Sequence, residues 1–212
     1  GTKNPMPPQS AATSSIDSVS PASTPPATRP ELLQAPFSSA AATAAQVEWA
    51  TYLKLAVQWQ DQFGQELRLI PPGEFQMGSN ETVEQLKLAG FIPSEIESGE
   101  LINHENPHHR VRITKPFYLG VSPVTRGQFA AFVNATGYRT EAEADDRGGE
   151  GYELSTKSNV FNPEFTWRNT GFEQTDDHPV VNVTWHDTQA YVQWLNVGLA
   201  KSGNSGRYRL PQ

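Results

Sequence analysis

His178-Pro-Val-Val-Asn-Val-Thr-Trp-His-Asp187 holds the change of period on which the fold reading turns. A histidine before proline is pushed into extended backbone, and the valines favour a strand that ends at Asn182 and Val183. Thr184 and Asp187 then occupy the N-cap and N3 places of a helix start. Trp185, Gln189, Val192, Leu195 and Leu199 follow at helical spacing and mark the helix, and Gly203 marks its end. Upstream, Thr125-Arg-Gly-Gln128 writes the capping box more strongly. Phe129, Phe132 and Val133 continue at helical spacing to a stop at Gly137. Before that helix the period is two. Leu67 and Leu69 alternate on one side of Pro71-Pro72-Gly73, Phe75 and Met77 on the other, which predicts a tight-turned β-hairpin. Val111-Arg-Ile113 and Phe117–Val121 predict two further strands flanking Thr114-Lys115-Pro116, and Val83, Leu86 and Leu88 a short helix within the polar stretch 80–106. Few helices, short strands and long loops read as an α+β fold.

The chain has 212 residues, 36% of them hydrophobic, enough for one mid-sized core with tails. Its formal net charge is −7, which argues against a nucleic-acid footprint, since counterion displacement needs a clustered basic surface. The one short basic cluster, His108-His109-Arg110-Val111-Arg112, leads into a predicted strand and reads as surface charge. No run approaches the roughly 20 apolar residues of a membrane span. There is no cysteine, so a disulfide framework, a thiolate metal site and a cysteine nucleophile are excluded within these residues. Localisation is not legible from any of this.

Residues 1–36 are rich in Pro, Ser, Thr and Ala, with too little apolar surface to offset ordering, and predict a disordered linker. At Phe37 the composition changes. Ser38 or Ser39 can cap a helix, and Trp49, Tyr52, Leu53 and Ala56 fall on one face, so residues 37–65 predict a helical brace packed on the domain at 66–212.

Along that domain, Ile70-Pro-Pro-Gly-Glu-Phe-Gln-Met-Gly-Ser79, Glu105-Asn-Pro-His-His-Arg-Val-Arg-Ile113, Pro116-Phe-Tyr-Leu-Gly-Val121, Asn134-Ala-Thr-Gly-Tyr138, Thr140-Glu-Ala-Glu143, His178–Trp185 and Tyr208-Arg-Leu-Pro211 occur in order. Together they resemble the sulfatase-modifying-factor family, best known for the formylglycine-generating enzyme. The resemblance implies a loop-rich, C-type-lectin-like α+β domain. It also implies an incomplete one, because in the family the Arg-Leu-Pro segment leads into a Thr-Glu-Ala-Glu-Trp run and a second half. The implied chemistry is oxidation of a substrate cysteine to an aldehyde by oxygen, at a copper ion held by two cysteines. Those cysteines would lie in the second half, so the resemblance implies an inactive fragment with no cofactor of its own. Copper and calcium would belong to the full-length domain, and the implied partner is a protein or peptide substrate. The alternative is a non-catalytic peptide- or ligand-binding or regulatory module in a multidomain parent, such as a kinase-linked one. The linker at 1–36 favours that alternative. The iron-dependent sulfoxide synthases carry this domain beside a helical bundle that residues 1–65 do not contain.

The loop Thr140–Glu150 sharpens the choice. Catalytic relatives follow Thr140-Glu-Ala-Glu143 with a Phe-Gly-Asp-Ser-type segment of the peptide groove, where this chain has Asp145-Asp-Arg-Gly-Gly149. Asn162-Pro-Glu-Phe-Thr-Trp-Arg168 resembles the family segment near the groove, which makes Trp167 and Arg168 the groove candidates. The other reading of the pair has Trp167 anchoring the loop to the core while Arg168 pairs with Asp176 or Asp177. The acids of 140–150 lack the spacing of a helix-loop-helix calcium site and read as a surface loop. His104, His108 and His109 invite a metal reading, but adjacent histidines on a strand point to opposite faces. His178 reads as introducing a core strand and His186 as a surface residue. Asn80, Asn134 and Asn182 head Asn-x-Thr acceptor patterns that carry weight only in a secretory context.

Overall fold

Pro71 and Pro72 set the topology. Neither has an N–H to donate, so a strand ladder must break where they stand. In the computed structural model, which describes residues 28–90, 105–153 and 155–211, the strands on either side of them enter different sheets. β3 (Glu66–Ile70) lies between β2 (Gln58–Gln60) and β6 (Phe117–Gly120), whereas β4 (Gly73–Met77) lies between β1 (Leu33–Gln34) and β5 (His109–Ile113). The expected hairpin across Pro71-Pro72-Gly73 therefore does not form. Ile70 faces Phe117 and Gly73 faces Ile113, so Thr114-Lys-Pro116 opposes only the two prolines. One long antiparallel ribbon is bent by this bulge into the two sheets. The strands expected at 111–113 and 117–121 are present as β5 and β6.

β1 falls inside the stretch expected to be disordered. Residues 1–27 of that linker lie outside the described residues, but 28–36 dock on the domain. Leu33 and Gln34 run parallel to Gly73 and Glu74, and Trp49 Nε1 donates to the Glu31 carbonyl at 3.1 Å. Gly73 makes the contact possible, because a Cβ there would lie 2.6 Å from the Leu33 oxygen. The ordered unit thus begins before Phe37.

The brace helix α1 (Ser39–Leu53) is capped by Ser38, which accepts from the Ala41 amide at 3.2 Å. It stops at Lys54 in left-handed backbone, well short of residue 65, and the remaining brace residues supply β2. Trp49 and Ala50 are its buried face, while Ala56, counted on the stripe, is exposed beyond its end. Gln46 Nε2 ties the helix to β3 through the Leu69 carbonyl at 3.0 Å. α2 (Val83–Leu88) forms as expected and buries nothing.

The core gathers on α3 (Arg126–Thr136) and α5 (Trp185–Lys201). Phe129, Phe132, Val133, Trp167, Tyr191 and Leu195 form its buried cluster, with Phe129 5.2 Å from Trp167 and 5.8 Å from Tyr191 between ring centroids. The two capping boxes form as written, and Gly137 ends α3 at φ 68°. The buried face of α5 runs through Asp187, Tyr191, Leu195 and Leu199, whereas Trp185, one of the residues that mark the helix in sequence, is 64% exposed. Between α3 and α5 lie α4 (Glu141–Ala144) and a hairpin of β7 (Gly149–Glu153) and β8 (Ser158–Asn162). Helices beside short sheets, antiparallel except for the β1–β4 pair, make the mixed helix-and-sheet architecture the periodicity implied.

Candidate functional site

The segment 140–150, expected to be a surface loop, is folded. Thr140 caps α4: its Oγ1 accepts from the Glu143 amide at 3.3 Å, and Glu143 Oε2 accepts from the Thr140 amide at 2.9 Å. Asp145 Oδ1 then accepts from the Arg147 amide at 3.0 Å, turning the chain back. Gly148 sits at φ +69°, and a Cβ on it would come within 2.0 Å of the Asn162 carbonyl oxygen. Gly149 donates its amide to the Phe165 carbonyl at 2.6 Å. These two glycines let the segment lie directly on residues 162–165.

The outcome is a cleft of about 660 Å3, lined by Glu141, Asp145, Arg147, Glu150 and Phe161 and closed by the turn Asn182–Thr184. Arg147 lays its guanidinium 3.6 Å from the centre of the half-exposed Phe161 ring, so its charge rests on the wall. Three carboxylates against one arginine leave the lining acidic.

One buried residue fixes both walls. Asp187 has no exposed surface and accepts from the Glu141 amide at 3.1 Å and from the Thr184 amide at 2.8 Å. The Tyr138 hydroxyl donates to it at 2.9 Å. α4 and the 182–184 turn are thereby locked to α5. Burial, and then the Asp187 carboxylate, push the Tyr138 phenol up to about 12. At the rim, Glu141 pairs with His186 Nδ1 at 2.9 Å. A hydrogen bond from Thr184 holds the Glu141 carboxyl below the usual range, against the opposing effect of burial and with smaller help from His186.

Of the two groove candidates, Trp167 is 1% exposed and anchors its segment in the core. Arg168 is half-exposed, stacked 4.2 Å over the Trp167 ring and bonded to Glu143 Oε1 at 2.9 Å. The pairing with Asp176 or Asp177 does not form. Asp176 is taken by Arg126 at 2.7 Å, and Glu143 is held in place for Arg168 by the Thr140 cap. Arg168 thus braces α4, one side of the cleft.

The basic cluster is only partly free surface charge, because Arg110 and Arg112 both pair with the buried Glu74. His109 Nδ1 contacts the Pro107 carbonyl, His178 Nδ1 contacts Thr175 Oγ1, and both are exposed; His104 lies outside the described residues. Among the described residues no three His, Asp or Glu side chains converge as metal ligands would. With no cysteine in the chain, the residues present do not fit a thiolate-bound copper ion. Among the described residues no helix is long and apolar enough to cross a membrane. Sequence reasoning missed Asp187 as the cleft's buttress, having seen only its capping place, and missed Arg147 and Phe161. The signal for the last two was Gly148-Gly149 with Gly151, a pattern of close backbone approach rather than a loose loop.

Comparison with known proteins matches residues 55–212 to the family of the sulfatase-modifying factor enzyme 1-like domain. The formylglycine-generating enzyme of Streptomyces coelicolor is 30% identical over 165 residues, covering 65% of this chain and 48% of that protein. The inactive C-alpha-formylglycine-generating enzyme 2 of Bos taurus is 27% identical over 150 residues, covering 60% of this chain and 49% of that protein. The chain spans about half the length of these relatives. The structure of PvdO from Pseudomonas aeruginosa aligns with a TM-score of 0.47 at 24% identity, over 72% of this chain and 46% of that one.

Proposed function

We propose a peptide-binding role for this chain, which belongs to the sulfatase-modifying factor enzyme 1-like domain family. The observation that carries the reading is the acidic cleft built by residues 141–150; by the family resemblance, Asp145–Gly149 stand in it where catalytic relatives carry a segment of the peptide groove. Its lining suits a basic peptide: Glu141, Asp145 and Glu150 supply carboxylates, Phe161 an apolar face, and Arg147 a single counter-charge that limits promiscuity. Arg168 borders the groove through its hold on Glu143, with Trp167 as its footing. We read the domain as the N-terminal portion of a loop-rich, C-type-lectin-related fold.

The same proposal includes no oxidation by these 212 residues alone. Without a cysteine they offer no soft ligand pair for Cu(I). A relative named as a formylglycine-generating enzyme and one named as inactive match at similar identity, so the likeness does not choose between the two roles. The changed segment Asp145–Gly149 favours binding over oxidation in the parent protein.

Fluorescence anisotropy with a labelled lysine- and arginine-rich peptide tests the binding role. Saturable binding that weakens about tenfold in Asp145→Asn, Glu150→Gln and with rising salt supports it. Indifference to both substitutions refutes it. The oxidation half is tested by mass spectrometry on a cysteine-containing sulfatase peptide, using protein expressed from the complete reading frame. Copper-dependent loss of the thiol in favour of the aldehyde would show that the parent oxidises.

A further inference from the structure

A second cavity, of about 320 Å3, lies between the β2–β3 turn and the C-terminal end of α5, and shares no lining residue with the acidic cleft. That volume is at the small end of ligand sites, roughly 300–1,000 Å3. Trp59, Phe63 and Tyr208 line it with aromatic surface, and Asp61 lines it as its one charged residue. Its geometry is fixed. Phe63 rests on Trp194 at 4.1 Å between centroids, and both Phe63 and Gln62 press against Gly198 so closely that a Cβ there would lie 2.6 Å from the Phe63 ring.

Asp61 is 7% exposed. Its Oδ1 accepts from the amides of Phe63 and Gln65, each at 2.8 Å, while Oδ2 accepts, among the described residues, only the Tyr208 hydroxyl at 2.7 Å. A carboxylate offers about four acceptor positions, so Oδ2 keeps one unused. No lysine, arginine or histidine pairs with Asp61 among the described residues. Lys201, in the last turn of α5, is exposed and does not line the cavity. Asp61 is thus met by three hydrogen bonds and no cation, and the carbonyl end of a 17-residue helix adds further negative potential. Burial, followed by the Asp61 contact, holds the Tyr208 phenol protonated well above its ordinary range, so Tyr208 stays a neutral donor.

Aromatic walls, one buried negative charge and an unused acceptor position select a small organic cation over a neutral or anionic guest. We propose that this cavity binds an alkylammonium group, whose N–H takes the open position on Asp61 Oδ2 while Trp59, Phe63 and Tyr208 cover its methylene carbons. A free alkylamine and a lysine side chain share that chemistry.

The test titrates the 212-residue protein with n-butylammonium, with Nα-acetyl-lysine methylamide and with the neutral norleucine analogue, following the indole N–H of Trp59 by NMR. The expected result is a saturable shift with an ammonium probe and a response at least about tenfold weaker with the norleucine analogue. Tighter binding of butylammonium identifies a free amine as the guest, and tighter binding of the lysine derivative identifies a side chain. Asp61→Asn is expected to weaken binding about tenfold. Because that change touches two amide contacts, Tyr208→Phe provides the second arm: it keeps the ring, frees another position on Oδ2, and is expected to tighten ammonium binding several-fold. No saturable response, equal binding of the norleucine analogue, or weaker binding in Tyr208→Phe would overturn the proposal.

Discussion

The α3–α5 core and the cleft that rests on it are held by different forces, although Asp187 belongs to both. In the core, Phe129, Phe132, Trp167 and Tyr191 bury aromatic area around one another, and the helix ends are satisfied by residues three positions away. In the cleft, shape comes from two glycines that admit neighbouring backbone and from carboxylates that hold amides, a phenol and an arginine. The core draws on non-directional burial, whereas each contact of the cleft depends on a specific distance.

The largest expected effect tests the base. Phe129→Ala removes the ring on which Phe132, Trp167 and Tyr191 converge and should cost about 3–5 kcal/mol, read as a lower urea midpoint with an unchanged slope. A loss under about 1 kcal/mol would mean that the core is not the dominant support and that the comparison is misdrawn.

Next comes the cleft's backbone. Gly148→Ala places a Cβ against the Asn162 carbonyl and Pro163 in left-handed backbone, and should cost about 1–3 kcal/mol. The contrast with Phe129→Ala lies in where the damage spreads. Amide exchange should rise in β7, β8 and residues 141–150 while α3 and α5 stay protected. Uniform loss of protection would show that the cleft is part of the core rather than mounted on it.

How much of this was legible follows the same division. Thr125–Gln128 and Thr184–Asp187 could be read because a cap needs only four residues and the apolar face of α3 repeats locally. The α5 helix could be read but its buried face could not, because Trp185 is apolar yet exposed, while Asp187 is charged yet buried as a hydrogen-bond hub. Hydropathy cannot register that inversion. The Pro71-Pro72-Gly73 hairpin was misread because proline followed by glycine signals a turn, and only the partner strand's three residues at 114–116 reveal a bulge. β7–β8 was missed because Gly149, Gly151, Ser158 and Asn159 have little strand preference, and their pairing depends on contacts with Phe165. Arg168 found Glu143, 25 positions away, because the nearer Asp176 already held Arg126. Such competition for partners is decided in three dimensions.

A smaller effect probes the seam between the two regions. Tyr138 is raised to about 12 by burial and by its bond to Asp187, above the ordinary 10.0. A phenol with a raised folded value contributes its full stability below about pH 10 and loses it as pH climbs toward about 12. The wild type should therefore weaken over that window by more than Tyr138→Phe, which should itself cost about 1 kcal/mol at neutral pH for the lost donor. Parallel alkaline profiles for the two proteins would show that the seam does not depend on this hydrogen bond.

The smallest effect concerns Glu143 and Arg168. Arg168 is half in water, so a double-mutant cycle of Glu143→Gln with Arg168→Met should give a coupling of only about 0.2–1 kcal/mol. Burial acts to raise the Glu143 carboxyl, but the Thr140 amide, Arg168, the Thr140 hydroxyl and the neighbouring Trp167 indole outweigh it, and the net direction is down. A carboxyl lowered in the folded state stabilises above its unfolded value and loses that contribution as pH falls through the folded one. The coupling should accordingly be present at neutral pH and fade in acid, below the ordinary carboxylate range near 4.5. If Arg168 also borders the peptide groove, Arg168→Met should weaken peptide binding by more than the stability coupling accounts for, and Arg168→Lys should restore little of it. Lysine keeps the charge but loses the planar stack on Trp167 and the fixed Nε contact that holds α4 in place. Full rescue by lysine would reduce Arg168 to a surface charge and leave the cleft's own lining to carry recognition.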